Sequence, residues 1–239
     1  MIERHLMKLR ARDDISAEEE RVIRGLVSHM VTVPADRTFV RAGEELKEST
    51  LLLDGWMARA KDLPTGERQI AEIHVAGDFM DLHGFTLKRL DHDVVSISQS
   101  TLAIVPHERV KDLTERYPHL VRMYWFMTNI DAAIQRESTV SLGRRDALSR
   151  MAQLFCELLV RLETVGLASD NRYAFPLTQA EVAECLGLTP VHVNRTLQEL
   201  RRMNLIEVRD WHVDIFDLEG LTGVAQFDPA YLYLEKRER

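Results

Sequence analysis

Cysteine is almost missing. The 239 residues hold two, Cys156 and Cys185, far apart and each inside a helical pattern. Two such thiols build neither a disulfide framework nor a zinc ribbon, and they suit a reducing, cytoplasmic setting. Cys156 lies beside an apolar stripe and reads as core. Long hydrophobic runs are missing as well: no stretch reaches the roughly eighteen consecutive apolar residues of a membrane span, so no membrane partner is expected. The opening residues, MIERHLMKLRARDD, are charged throughout and lack the apolar centre of a signal peptide. Positive charge is in short supply, with a net charge of −7 that argues at first against a nucleic-acid partner. Its distribution matters more than its sum. Residues 1–140 carry −4, residues 141–212 are neutral and residues 213–239 carry −3. The least acidic block is therefore the one where a local basic face could dock on DNA. No H-x-H pair occurs, which removes the reading as a β-roll metalloenzyme. No enzyme is expected.

What is present falls into three patterns. ISAEEERVIRGLV opens with Ser16 and Glu19 in a capping-box arrangement, followed by Val22, Ile23, Leu26 and Val27 at helical spacing. From Val31 the period shortens. Gly43, Gly55, Gly66 and Gly77 stand 12, 11 and 11 residues apart, separated by strand-like pieces such as STLLLDGWMARA and RQIAEIHVAGD. Short strands with turns at that interval predict an antiparallel sandwich or roll. After Pro106 the helical period returns in HERVKDLTERYPHL, and Pro118 opens a second helix. In that helix Leu120, Met123 or Tyr124, Met127, Ile130, Ile134 and Ser138 recur every three or four positions. A long helix with such a stripe predicts a partner helix, and hence a homodimer; the alternative is that it packs only on its own β-roll. SLGRRDALSR reads as a hinge, with Gly143 stopping one helix and Asp146 capping the next. That next helix turns Met151, Leu154, Phe155, Leu158, Leu159 and Leu162 inward, and GLASDNRYAFP after it reads as a polar loop.

LTQAEVAECLGLTPVHVNRTLQELRRMNLIEV predicts two short helices around a tight turn. Thr178 and Glu181 form a capping box, Ala183 is small where a second helix must cross, and Gly187 permits the turn. Thr189 is the cap of the second helix and Pro190 its first residue. At 100° per residue Val193, Leu197 and Leu200 face the core. The opposite face collects Val191, Arg195, Gln198 and Arg202, with Asn194 on its flank and Glu199 only at the edge. Such a helix suits a major groove: arginine pairs with guanine, asparagine or glutamine with adenine, and valine meets a thymine methyl. The expected roles are Arg195 to guanine, Val191 to a thymine methyl, and Asn194 and Gln198 to bases or phosphate. Thr189, His192, Arg201 and Arg202 are phosphate candidates near the helix ends. LIEVRDWHVDIF then reads as a hairpin wing turning at Arg209–His212, both of which could touch phosphate.

RMAQLFCELL, the LTQAEVAECLGLTPVHVNRTLQELRRMNLI stretch, the glycine-spaced roll and the ending FDPAYLYLEKRER together resemble the Crp/Fnr family of bacterial transcription regulators over nearly all of the chain. The resemblance implies an α+β fold: an N-terminal antiparallel β-roll (a double-stranded β-helix), a long dimerisation helix and a C-terminal winged helix–turn–helix. On this view residues 1–143 are a sensor-like domain including a dimerisation helix at about 118–142, and residues 144–239 bind DNA. The implied partners are double-stranded DNA, a second copy of the chain and RNA polymerase. The alternative is a small-molecule sensor whose output is protein contact.

Departures from the family limit what carries over. Members that bind cyclic AMP have Gly-Glu and, about ten residues later, Arg-Ser or Arg-Thr. The matching segment here is GDFMDLHGFTLKRLDHDVVSIS, in which Gly77-Asp78 keeps the first part and His92-Asp93 replaces the second. The arginine that would neutralise a cyclic phosphate is lost, and Asp91 and Asp93 would repel it, so cyclic AMP is not expected. The candidates left for an effector pocket are Asp78, Lys88, Arg89 and His92, with Trp56, Arg59 and Arg68 as possible lining. An iron–sulfur cluster is excluded by the missing N-terminal cysteines. His74, His83 and His92, nine apart, do not follow a metal-ligand spacing, and no metal or other cofactor is expected. In the recognition helix Arg195 matches the family's guanine-reading arginine. Val191 replaces the glutamate that accepts from cytosine and Asn194 replaces the serine, which predicts a different operator.

Overall fold

The stretch after residue 28 pleats into strands, because β-branched and leucine side chains fit a half-buried sheet and the turns fall on residues that tolerate positive φ. The computed structural model describes residues 2–238. Two helices come first, α1 (Glu3–Arg10) and α2 (Ala17–Gly25). The strands follow as β1 (His29–Val33), β2 (Arg37–Val40), β3 (Glu48–Asp54), β4 (Met57–Asp62) and β5 (Arg68–His74). After the short helix α3 (Gly84–Leu87) come β6 (Asp93–Ser96) and β7 (Ser100–Pro106). One sheet has the order β1-β7-β3 and another β2-β6-β4-β5. The pairings are antiparallel, as in Leu52 opposite Leu102 and Ala58 opposite Val95. Both sheets send side chains into one core: Val33, Leu52 and Leu102 from the first, Val40, Met57 and Val94 from the second, closed by Met80 and Leu90. Full burial of each such side chain favours the fold by roughly 1.5–3 kcal/mol. The β3–β4 turn needs glycine. Gly55 has φ +90°, and a Cβ there would lie 2.5 Å from the Gln99 carbonyl oxygen. The predicted antiparallel roll is present.

Helix α1 falls in the N-terminal stretch that reads as charged throughout. It buries His5, Leu6 and Leu9, a stripe too narrow to stand out among its charges. His5 fixes it in place. Its Nδ1–H donates to the Gly77 carbonyl at 2.9 Å, and its Nε2 lies 3.2 Å from the Tyr124 hydroxyl, which it accepts. Burial holds its pKa down to about 4, so the ring is neutral and this one tautomer satisfies both partners.

The chain continues through α4 (His107–Arg116) into α5 (Pro118–Arg144). Two readings of the sequence change here. Gly143 does not end the helix, which runs one residue past it. The break comes at Arg145-Asp146, because Asp146 must be extended (ψ 174°) for its carboxylate to accept from the Ser149 N–H at 2.8 Å. The apolar stripe of α5 is also not a free seam. Leu120, Met123, Tyr124, Met127, Ile130 and Ile134 are buried by the chain itself, and Tyr124 stacks on His5 with ring centroids 5.8 Å apart. The exposed stripe is another one: Trp125 (67% exposed), Ala132, Thr139 and Val140 (50% exposed).

The chain divides into two units. The first comprises the residues up to Lys61, Glu72–Ala132 and the stretch from Tyr233; the second comprises Asp62–Ala71 and Ala133–Leu232. The second holds α6 (Ala147–Thr164), β8 (Ala168–Ser169), β9 (Arg172–Ala174), α7 (Gln179–Leu186), α8 (Pro190–Arg202), β10 (Ile206–Arg209), β11 (His212–Ile215) and α9 (Leu218–Ala225). Helix α6 buries Met151, Phe155, Leu158, Leu159 and Leu162 as its pattern predicts, while Leu154 at the margin of the stripe is only half-buried. GLASDNRYAFP is not a plain loop. It forms the β8–β9 hairpin on a turn of Asp170 and Asn171, both with positive φ. Strands of two and three residues are too short to show a period, and two turn-favouring residues hide them.

Candidate nucleic-acid interface

The site is built locally. The Thr178 hydroxyl accepts from the Glu181 N–H at 3.2 Å, and the Glu181 carboxylate accepts from the Thr178 N–H at 2.7 Å, so α7 begins on a complete capping box. Val182, Ala183 and Leu186 are buried beneath it. Gly187 is left-handed at φ +61°, and its N–H and that of Leu188 both return to the Ala183 carbonyl. The Thr189 hydroxyl then accepts from the His192 N–H at 3.3 Å, with Pro190 as the first residue of α8. Proline loses nothing there, since that N–H has no helical acceptor. On the inner face Val193 and Leu200 are fully buried. Thr196 takes the third core position that the helical period assigns to Leu197, which is only half-buried. The difference is a rotation of the inner face by part of one residue, set by what crosses it and not by the helix itself.

The residues of α8 and its cap that are expected to meet DNA, namely Thr189, Val191, His192, Asn194, Arg195, Gln198, Arg201 and Arg202, are all exposed, Val191 at 77%. Gln198 donates to the Asn194 Oδ1 at 2.9 Å, which aligns two amides on one side. Arg201 is committed to Glu207 at 2.5 Å, and Arg202, 80% exposed, lies 4.0 Å from Glu199. Arg195 has no ion-pair partner among the described residues. An exposed valine beside an unpaired guanidinium is a poor solvent face and a good groove face.

The wing follows at once. Its sheet has the order β10-β11-β9-β8, so the short hairpin that sequence reading missed braces it from one side. Arg209 is at its tip, 72% exposed and 3.7 Å from Asp210. His212 points its Nδ1 at the Asp210 carbonyl, 2.9 Å away. Between them Trp211 is 60% exposed. A tryptophan in a two-residue turn is a signal visible in the sequence itself, between the phosphate candidates Arg209 and His212.

The four effector-pocket candidates have different partners. Asp78 is buried, accepts from the Val75 N–H at 3.1 Å and forms an ion pair with Lys8 of α1. Lys88 and Arg89 are exposed, and the Lys88 ammonium lies over the Phe85 ring at 4.9 Å. His92 is hydrogen-bonded to Asp91 at 3.0 Å. Of the other lining candidates, Trp56 is buried in the roll and Arg68 is bonded to Asp62. The buried guanidinium of the roll is Arg59. It donates to Glu72 at 2.7 Å, to Asp131 at 3.1 Å and to the Met80 carbonyl at 2.8 Å. These groups do not fit a cyclic nucleotide. The acid matching the family's glutamate is held by Lys8, and the buried guanidinium of Arg59 is taken up by Glu72 and Asp131. His74 is buried 3.6 Å from Asp78, and the His83 and His92 rings are 5.4 Å apart. No three metal-ligating side chains converge among the described residues.

Two family models match the chain: the cyclic nucleotide-binding domain over residues 30–117 and the Crp-like helix-turn-helix domain over residues 149–224. A probable transcriptional activator of Rhizobium leguminosarum bv. viciae is 26% identical over 79% of this chain and 78% of that protein. The fumarate and nitrate reduction regulatory protein of Vibrio cholerae serotype O1 is 22% identical over 78% of this chain and 75% of that protein. Among solved structures, FixK2 from Bradyrhizobium japonicum has the same fold, with a TM-score of 0.76, 21% identity, and coverage of 83% of this chain and 98% of that one. A β-roll domain of the one kind followed by a helix–turn–helix of the other places the chain in the Crp/Fnr family of DNA-binding transcription regulators.

Proposed function

We propose that the chain is a homodimeric regulator that binds a pseudo-palindromic operator, with α8 of each copy in successive major grooves. The outer face of α8 carries this reading: Val191, Asn194, Arg195 and Gln198 are exposed together, with the one carboxylate of the helix, Glu199, at its edge. Arg195 reads guanine, Val191 meets a thymine methyl, and Asn194 and Gln198 supply amides for an adenine or a phosphate. Thr189, His192, Arg201 and Arg202, with Arg209 on the wing, lie where phosphates run. Residues 144–239 form the DNA-binding part. Residues 1–143 form the part that senses or couples and includes the dimerisation helix. The second copy is met by the exposed stripe of α5, through Trp125, Ala132, Thr139 and Val140.

Cyclic AMP is not its effector, and the chain has no catalytic role. It works in the cytoplasm, where DNA and RNA polymerase, its further partner, are found. Selection of bound sequences from a random DNA pool tests the proposal. A two-fold symmetric site with half-sites about ten base pairs apart is the expected result, and binding that recovers no common sequence would overturn it.

A further inference from the structure

The wing turns on two residues, Asp210 and Trp211. Both are left-handed, with φ of 51° and 60°, between the paired Arg209 and His212. This is type I′ geometry, which Asp-Gly adopts freely and which a bulky side chain disfavours. The indole gains little cover in exchange, since it remains 60% exposed. The turn beneath it is braced. The Trp211 carbonyl accepts from the Phe175 N–H at 2.7 Å, His212 pairs with Ala174, and Val213 is fully buried. A strained, uncovered aromatic on a rigid tip is placed for a contact outside the chain.

The chemistry of the tip decides the kind of contact. The wing follows α8 directly and is tied to it by the Arg201–Glu207 ion pair, so its neighbour in a complex is the same duplex. Arg209 lies against Asp210 at 3.7 Å, and the two charges largely cancel, which makes the tip a weak phosphate clamp. What it offers instead is a flat apolar face, and on duplex DNA such faces meet the sugars and walls of the minor groove. We infer that Trp211 is a DNA-contacting residue that packs its indole on the minor-groove sugar edge flanking the half-site read by α8. This rests on the DNA-binding reading and adds a contact outside the major groove.

Trp211→Gly tests it, because the resulting Asp-Gly turn keeps the wing. The affinity of each protein is measured for a duplex carrying the selected half-sites with long flanks and for one with the flanks trimmed. The variant is expected to be at least as stable to urea as the parent, to bind the long duplex about tenfold more weakly, and to show an unchanged salt slope. On the trimmed duplex the two proteins should bind alike, and Trp211→Phe should recover most of the loss. Equal affinity of parent and Trp211→Gly on the long duplex overturns the assignment, as does an equal loss on both duplexes. Arg195→Ala is run beside them. If it loses the selected site while Trp211→Gly does not, the wing contact fails and the groove reading stands. If the parent protein prefers no sequence at all, both fail.

Discussion

Among the side chains of α8, Arg195 combines exposure, position and an unshared charge. Arg201 faces Glu207 and Arg202 lies near Glu199, so their charges are partly spoken for, while Arg195 has no such partner among the described residues. Arg195→Ala should therefore cost roughly 1–3 kcal/mol on the selected operator and little on random DNA, whereas Arg202→Ala should weaken both alike and lower the salt slope by about one. Titration against the two kinds of duplex over a salt series separates them, and equal losses for Arg195→Ala would remove its base-reading role. This residue was legible in the sequence because a threonine cap, a proline at the first position and a 100° period place it with no knowledge of the rest of the fold. Thr196 was not. Its burial depends on what crosses α8, and the helical period alone favours Leu197.

At the scale of elements, α1 and α5 show what neighbours add. His5 of α1 is neutral because burial holds its pKa at about 4 against an ordinary 6.5. Between those values the unfolded chain takes up a proton that the native ring refuses, so stability is full above pH 6.5 and is lost as the pH falls toward 4. His74, held down to about 4 by burial, acts in the same direction, and Asp81, pushed up to about 6 by burial, opposes it. Comparing His5→Gln with the parent isolates one group. Its urea midpoint should fall less steeply between pH 6.5 and 4, and an identical slope would show that His5 contributes nothing to acid unfolding. For α5 the stripe that the sequence offered as a dimer seam is used inside the chain, and Trp125 marks the face left open. Trp125→Glu should shift sedimentation velocity profiles toward monomer at concentrations where the parent is dimeric. An unchanged dimer would place the second copy elsewhere.

At the scale of the whole molecule, a net charge of −7 coexists with DNA binding because residues 141–212 are neutral and Arg195 and Arg202 share the outer face of α8. Long-range repulsion weakens non-specific association more than the docked complex, and added salt screens both. In the roll, Lys8 holds Asp78 and Arg59 is bound by Glu72 and Asp131, groups that a cyclic phosphate and its sugar would have to displace. Millimolar cyclic AMP should leave the melting temperature and the operator affinity unchanged. A concentration-dependent rise in melting temperature would show that the site opens to the nucleotide.

The sequence by itself determined what local rules control: the capping boxes at Ser16 and Thr178 and the start of α8 at Pro190, which depend on residues within a turn of one another. The roll showed as strand-and-turn spacing, and the loss of the phosphate-binding arginine showed against the family resemblance. Only the tertiary structure decided which face of α5 is buried, that a charged N-terminus folds as α1 against Gly77 and Tyr124, and that Asp78 is closed by Lys8. Each of these joins residues 70 or more positions apart. Such contacts are chosen by packing and by the need to pair buried polar groups, which no local pattern encodes.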